Sequence, residues 1–197
     1  MMSIMKIKII LGSTREGRMG EAFATWVMSE LAQRSDAEYE LLDLRDYPLM
    51  YYSDPVPAGM LQSPYIPEIR NTWAEKIKEA DGFIVITPEY NHSFPAVLKS
   101  ALDAIYKEWN NKPIGFISYG GAANGSRAVE HLRQVAVELQ MAPIRDAIHI
   151  GIFTGQSIFN EDGTMANTHE NKKLSGMTDQ LLWWSDALKT AREKMIV

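Results

Sequence analysis

Apolar residues in this chain fall into short dense runs, separated by stretches where they recur every three or four positions. The runs are IKIIL (7–11), FIVIT (83–87), PIGFIS (113–118) and AIHIGIF (147–153). They are rich in β-branched residues and mostly lack polar alternation, which predicts strands covered on both faces in a parallel sheet. A fifth run, YELLDL (39–44), alternates more and predicts an edge strand. Helical period appears over 19–34, 68–80, 94–105, 126–140 and 170–193. The third of these puts Phe94, Val97, Leu98, Ala101, Leu102 and Ile105 on one stripe. The fourth carries Val129, Leu132, Val135, Ala136 and Leu139, and the last carries Met177, Leu181, Trp184, Leu188 and Ala191. Such stripes predict helices packed by one face. Strand and helix alternate, so the expected fold is α/β: a three-layer sandwich with a five-stranded parallel sheet and helices on both sides.

Composition narrows the class. A chain of 197 residues, 46% hydrophobic, holds one sizeable core, and a single domain over 1–197 is expected. The net charge of −5 lacks the basic footprint of a nucleic-acid binder. There is no cysteine, which excludes disulfides, thiolate metal sites and cysteine nucleophiles and fits a cytoplasmic setting. The first apolar run stops at Gly12, well short of the ~20 residues of a membrane span, and no small-residue cleavage site follows it. A soluble, unprocessed protein without membrane partners is expected. The four histidines, His92, His131, His149 and His169, show no metal-ligand spacing.

In an open α/β sheet, ligands bind beyond the carboxyl ends of the strands, so three loops carry the candidate chemistry. The first, GSTREGRMG (12–20), joins the first strand to the first helix. Its glycines free the backbone to wrap a terminal phosphate, Ser13 and Thr14 offer hydroxyls, and Arg15 and Arg18 offset negative charge. It is not a Walker loop, since Arg18 and Met19 stand where lysine and Ser or Thr belong, and it contains no GxGxxG. The second, TPEYNHSFPAVLKSALD (87–103), has Pro88 to stiffen the turn, Asn91 for an unusual backbone angle, and Ser93 as the expected helix cap ahead of Pro95. Its backbone groups suit a flat heteroaromatic ring, while a packing role is the stronger expectation for Glu89. The third, SYGGAANGSRA (118–128), pairs Gly120 with Gly121, so a planar ligand can lie against bare backbone. Residues 45–67, with five prolines and four tyrosines, form either a covering loop or the lining of a pocket or subunit contact. FNEDGTMAN (159–167) reads as a turn or hairpin tip. Trp183 and Trp184 are expected in the core or at an interface.

Taken together, GSTREGR, LRDYPL, TPEYNHSFPAVLKSALD and SYGG resemble the NADPH-dependent FMN reductase family, the flavodoxin-like group that includes quinone, azo-dye and chromate reductases. The resemblance runs from Lys6 to about Ile150. It implies FMN, with Ser13, Arg15, Arg18, Met19 and Gly20 around the phosphate. Pro88, Glu89, Tyr90 and Asn91 would lie along the flavin ring, with Tyr119, Gly120 and Gly121 beside it. Glu16 stands where relatives often have proline, and its carboxylate must point away from a phosphate, toward Arg15 or Arg18. The resemblance further implies NADPH or NADH as transient hydride donor, a small-molecule electron acceptor, chemistry centred on the flavin rather than on a catalytic side chain, and a homodimer or homotetramer. Two other readings stay open: a flavodoxin-type electron carrier, which a charge of only −5 does not favour, and a flavin-binding sensor without turnover.

Overall fold

The computed structural model describes residues 4–194. Five strands, β1 (Met5–Leu11), β2 (Ala37–Asp43), β3 (Gly82–Pro88), β4 (Pro113–Gly120) and β5 (Ala142–Gly151), alternate with five helices. These are α1 (Gly20–Leu31), α2 (Ile69–Lys78), α3 (Ala96–Asp103), α4 (Ser126–Glu138) and α5 (His169–Lys194). All strand pairs are parallel, in the order β2-β1-β3-β4-β5. The winding reverses between β1 and β3, which opens a crevice at their carboxyl ends. The expected edge strand is indeed at an edge.

Apolar side chains pack on both faces of the sheet. On one face Phe23, Trp26 and Val27 of α1 and Leu174, Met177 and Leu181 of α5 cover Ile7, Ile9, Ile84 and Ile117. On the other, α2, α3 and α4 enclose a chain of aromatics in which Tyr47–Trp73, Trp73–Trp109 and Phe83–Trp109 have centroids 5.0, 5.9 and 5.0 Å apart. The buried indole N–H groups donate to the Ala101 and Leu102 carbonyls, at 2.9 and 3.2 Å, so neither is left without an acceptor. Each fully buried side chain of this kind contributes roughly 1.5 to 3 kcal/mol. Tyr47 and Tyr65 join the same cluster and hold residues 45–67 over the α2 and α3 layer. Asn71 exchanges two hydrogen bonds with the Tyr65 backbone, and Arg70 pairs with Asp54 at 2.8 Å. Met50, Tyr51, Met60 and Ile66 of the same segment are exposed.

Four expectations need correction. β5 starts five residues before the apolar run that signals it, and as the second edge strand it alternates in burial instead of being covered on both faces. In α5 the buried line runs through Leu174, Met177, Thr178, Leu181 and Ser185. Trp184 lies one residue off that line and is exposed, as are Trp183 and Ala191; beyond Ser185 the anchoring passes to Lys189 and Arg192, which reach Asp81 at 2.8 and 3.0 Å. The tryptophans are therefore not core, although their rings pack edge to face at 5.3 Å. Ser93 does not cap α3: Pro95 holds the cap position, and the Ser93 hydroxyl pairs instead with His131 Nδ1 at 2.9 Å. Glu16 is exposed and pairs with neither Arg15 nor Arg18. The 159–167 tip closes as expected, through a Phe159–Met165 bridge with Gly163 at φ 81°.

The loop after β1 is pinned from below. Arg18 is buried, with its guanidinium engaged by both carboxylate oxygens of Asp43 at the end of β2, by the Ser13 carbonyl, and by Glu21. Parallel register sets Asp43 level with Leu11, so the two strands end together and the arginine bridges them. Burial works against charge on both groups, yet the hydrogen bonds outweigh it: Arg18 is held above its ordinary value and the Asp43 carboxyl below its own. A depressed carboxylate adds stability above its unfolded value and loses it as pH falls through the folded one. Asp43→Asn should therefore lower unfolding free energy at neutral pH by roughly 1.5 to 3 kcal/mol. In urea titrations the gap to the parent protein should narrow as pH drops below 3.8, the ordinary carboxylate value; a gap that is independent of pH would show that the ion pair is not its source.

Candidate functional site

Residues 12–20 arch from β1 to α1 and leave backbone donors unpaired. The N–H groups of Ser13, Thr14, Arg15, Gly17 and Met19 find no acceptor among the described residues, and no side chain caps α1. Gly17 sits at φ 63°, which turns the arch. Gly20 opens the helix, packed close against the Tyr119 hydroxyl. A Cβ at position 20 would stand 2.9 Å from that hydroxyl and 2.8 Å from Leu11 Cδ1, so a larger residue would force these side chains of β4 and β1 to shift. An arch of free amides at a helix N-terminus, with a hydroxyl and a cation beside it, is the donor set that a phosphate monoester takes. The residues present fit FMN at this end.

The predicted phosphate residues divide into two groups. Arg15 is exposed; its Nε lies 3.3 Å from the Tyr90 hydroxyl. The Ser13 hydroxyl lies 3.0 Å from that same oxygen, so Tyr90 of the second loop closes over the first. Arg18 is instead committed to Asp43 and the Ser13 carbonyl, and its part is to shape the arch. Met19 occupies the helix-cap position and leans on the α1 and α5 core. Arg45, from the segment after β2, donates to the Arg15 carbonyl at 2.9 Å and to the Thr14 carbonyl at 3.4 Å. These two bonds fasten the outer side of the arch to the segment after β2.

At the ring end, Pro88 closes β3, and the Glu89 amide donates to the Tyr119 carbonyl at 2.9 Å. Glu89 acts as a tie: its carboxylate meets the Arg127 guanidinium at 2.9 Å and the Arg127 amide at 3.2 Å, joining the second loop to α4. The contact gives Glu89 a structural part between the two loops. Tyr90 and Ser93 exchange two backbone hydrogen bonds, and the turn between them holds Asn91 at φ 50° and His92 at φ 68°. Asn91 meets the expectation, and His92 was not foreseen as strained. Tyr119 points inward, stacked on Phe23 at 4.6 Å, and burial raises its hydroxyl pKa. Only its backbone is left for the loop surface. Gly125, at φ 85°, opens α4 so close to β4 that a Cβ would lie 2.6 Å from that of Ser118. Gly120 and Gly121 stand beside this turn at the end of β4.

Sequence reasoning missed three positioning residues, Asp43, Arg45 and Arg127. Arg45 is the second residue of the LRDYPL motif, so a signal was present without a role attached to it. Asp43 becomes visible only when β2 is laid beside β1 in register. Arg127 lies inside the third loop's motif and gives no sign of its partner 38 residues away.

The family model described as NADPH-dependent FMN reductase matches residues 5–155. An NAD(P)H-dependent FMN reductase of Schizosaccharomyces pombe is 40% identical over 145 residues, covering 73% of this chain and 72% of the relative. Another NAD(P)H-dependent FMN reductase, from a Nectria species, is 31% identical over 196 residues, covering 93% of this chain and 95% of the relative. Among solved structures, a flavoenzyme NAD(P)H:(acceptor) oxidoreductase of Paracoccus denitrificans superimposes with a TM-score of 0.75 at 21% identity, covering 93% of this chain and 98% of that one. That last likeness carries the flavodoxin-like fold, and the family rests on the sequence matches: this chain belongs to the NADPH-dependent FMN reductase family.

Proposed function

We propose that this protein is an FMN-dependent NAD(P)H oxidoreductase that reduces quinones, flavins or other small acceptors by two successive hydride transfers at one site, and that its 197 residues act as one unit. The observation that carries the reading is the arch of unpaired amides at the start of α1, set within a family match over 5–155. FMN, when bound, supplies the redox chemistry, taking hydride from a nicotinamide and passing it to the acceptor. The protein's residues bind and orient. Ser13, Arg15 and the amides up to Gly20 would hold the phosphate, with Arg18 keeping the arch in shape. Pro88, Tyr90, Asn91, Gly120 and Gly121 would line the ring through backbone groups, and Glu89 and Arg127 tie those two loops together. No acid or base is asked of any side chain.

The test is spectroscopic. Protein reconstituted with FMN and desalted should keep its flavin bands, and NADPH or NADH added without oxygen should bleach them. Retained bands that neither donor bleaches would sink the reductase reading in favour of an electron carrier.

For the assembly, we infer a homodimer or homotetramer in which residues 45–67 meet a second copy, and a cytoplasmic setting, in keeping with the absence of cysteine. The support is the exposed set Met50, Tyr51, Met60 and Ile66 on a segment otherwise fastened to the core. Light scattering should show an oligomer that Tyr51→Asp shifts toward monomer. A monomeric parent protein with full activity would reject the shared contact.

A further inference from the structure

The loop that leaves β5 is polar and exposed over 154–157, yet it begins with a phenylalanine that is 83% exposed. Phe153 is not adrift. The preceding residue, Ile152, donates its N–H to the Gly120 carbonyl at 2.9 Å. Gly151 packs so closely that a Cβ there would stand 2.7 Å from Asn124 Oδ1. The ring itself lies against Gly121, where an added Cβ would meet its Cδ2 and Cε2 atoms at 3.4 and 3.5 Å. One edge of the phenyl ring is thus seated on the Gly120–Gly121 turn, and most of its surface faces solvent.

Topology says which ligand that surface can reach. β5 lies outside β4, two strands from β3 and three from β1, with about 4.8 Å between neighbours. A cofactor anchored on the β1 arch and lying along the β3 loop would reach the β4 loop at its far end. A side chain from β5 would then meet it from the rim. The free face of the Phe153 ring at such a rim has the geometry to stack on a second ring.

We propose that Phe153 is the aromatic wall of the second-substrate site and takes the ring of a planar aromatic electron acceptor. The proposal rests on the flavoenzyme reading above. It makes Phe153 a residue that selects acceptors, with no part in holding FMN.

Anthraquinone-2-sulfonate serves as the probe, titrated by calorimetry into FMN-loaded, oxidised protein without a nicotinamide, so that binding is read apart from turnover. Phe153→Ala should weaken probe binding roughly three- to tenfold, and Phe153→Tyr should restore it. FMN retention after desalting, and the rate at which ferricyanide, an acceptor without a ring, reoxidises the reduced protein, should be equal in the parent and Phe153→Ala. Unchanged probe affinity in Phe153→Ala, or no probe binding to the parent protein, overturns the proposal. So does FMN loss in Phe153→Ala alone, which would assign the ring to the cofactor. Failure of the parent protein to retain or bleach flavin is a separate result, and it strikes the reductase reading itself.

Discussion

The guanidinium of Arg18 lies inside the protein at the point where β1, β2 and α1 meet, held by Asp43, Glu21 and the Ser13 carbonyl. A buried cation is tolerated only when its charge and donors are matched, and here the matching groups come from three separate segments. Satisfying it fixes the level at which the two strands end and the path of the chain between Ser13 and Gly20. The free amides of the arch follow from that path. The sequence offers this arginine as a phosphate contact, and in the structure its guanidinium is the post that shapes the arch.

From that post the rest of the crevice is assembled by short ties. Tyr90 spans from the second loop to Ser13 and Arg15 in the first, Glu89 spans from the second loop to Arg127 at α4, and Ile152 spans from the β5 loop to Gly120. Each tie joins neighbouring loops at the carboxyl ends of adjacent strands. The floor of the candidate site is therefore set before any ligand arrives, which lowers the ordering cost of binding. Side chains with free polar or aromatic surface, Arg15 and Phe153, stand at its two ends.

Much of this was legible in the chain. Unbroken apolar runs disclosed β1, β3 and β4 because those strands are covered on both faces, and alternation disclosed β2 because it is not. β5 was misjudged at its start: residues 142–146 include Pro143, Arg145 and Asp146, and an irregularity in pairing opposite Ile114 and Phe116 breaks the pattern there. The end of α5 was misjudged because a stripe drawn at helical spacing drifts off the true contact line, and that line ends in Lys189 and Arg192 bound to Asp81. In the site, residue types and glycine positions gave the loops and their chemistry. They did not separate Arg15 from Arg18, since the difference lies in Asp43, 25 residues beyond Arg18 in sequence and adjacent only through strand register.

We read the arch between β1 and α1 as built for a phosphate. The most direct measurement compares the affinities of FMN and riboflavin, which differ in that group alone, by quenching of flavin fluorescence on titration with the protein. Several charge-assisted hydrogen bonds to the phosphate, worth roughly 1.5 to 3 kcal/mol each, predict that FMN binds at least about a hundredfold more tightly. Equal affinities would mean that the arch does not read the phosphate.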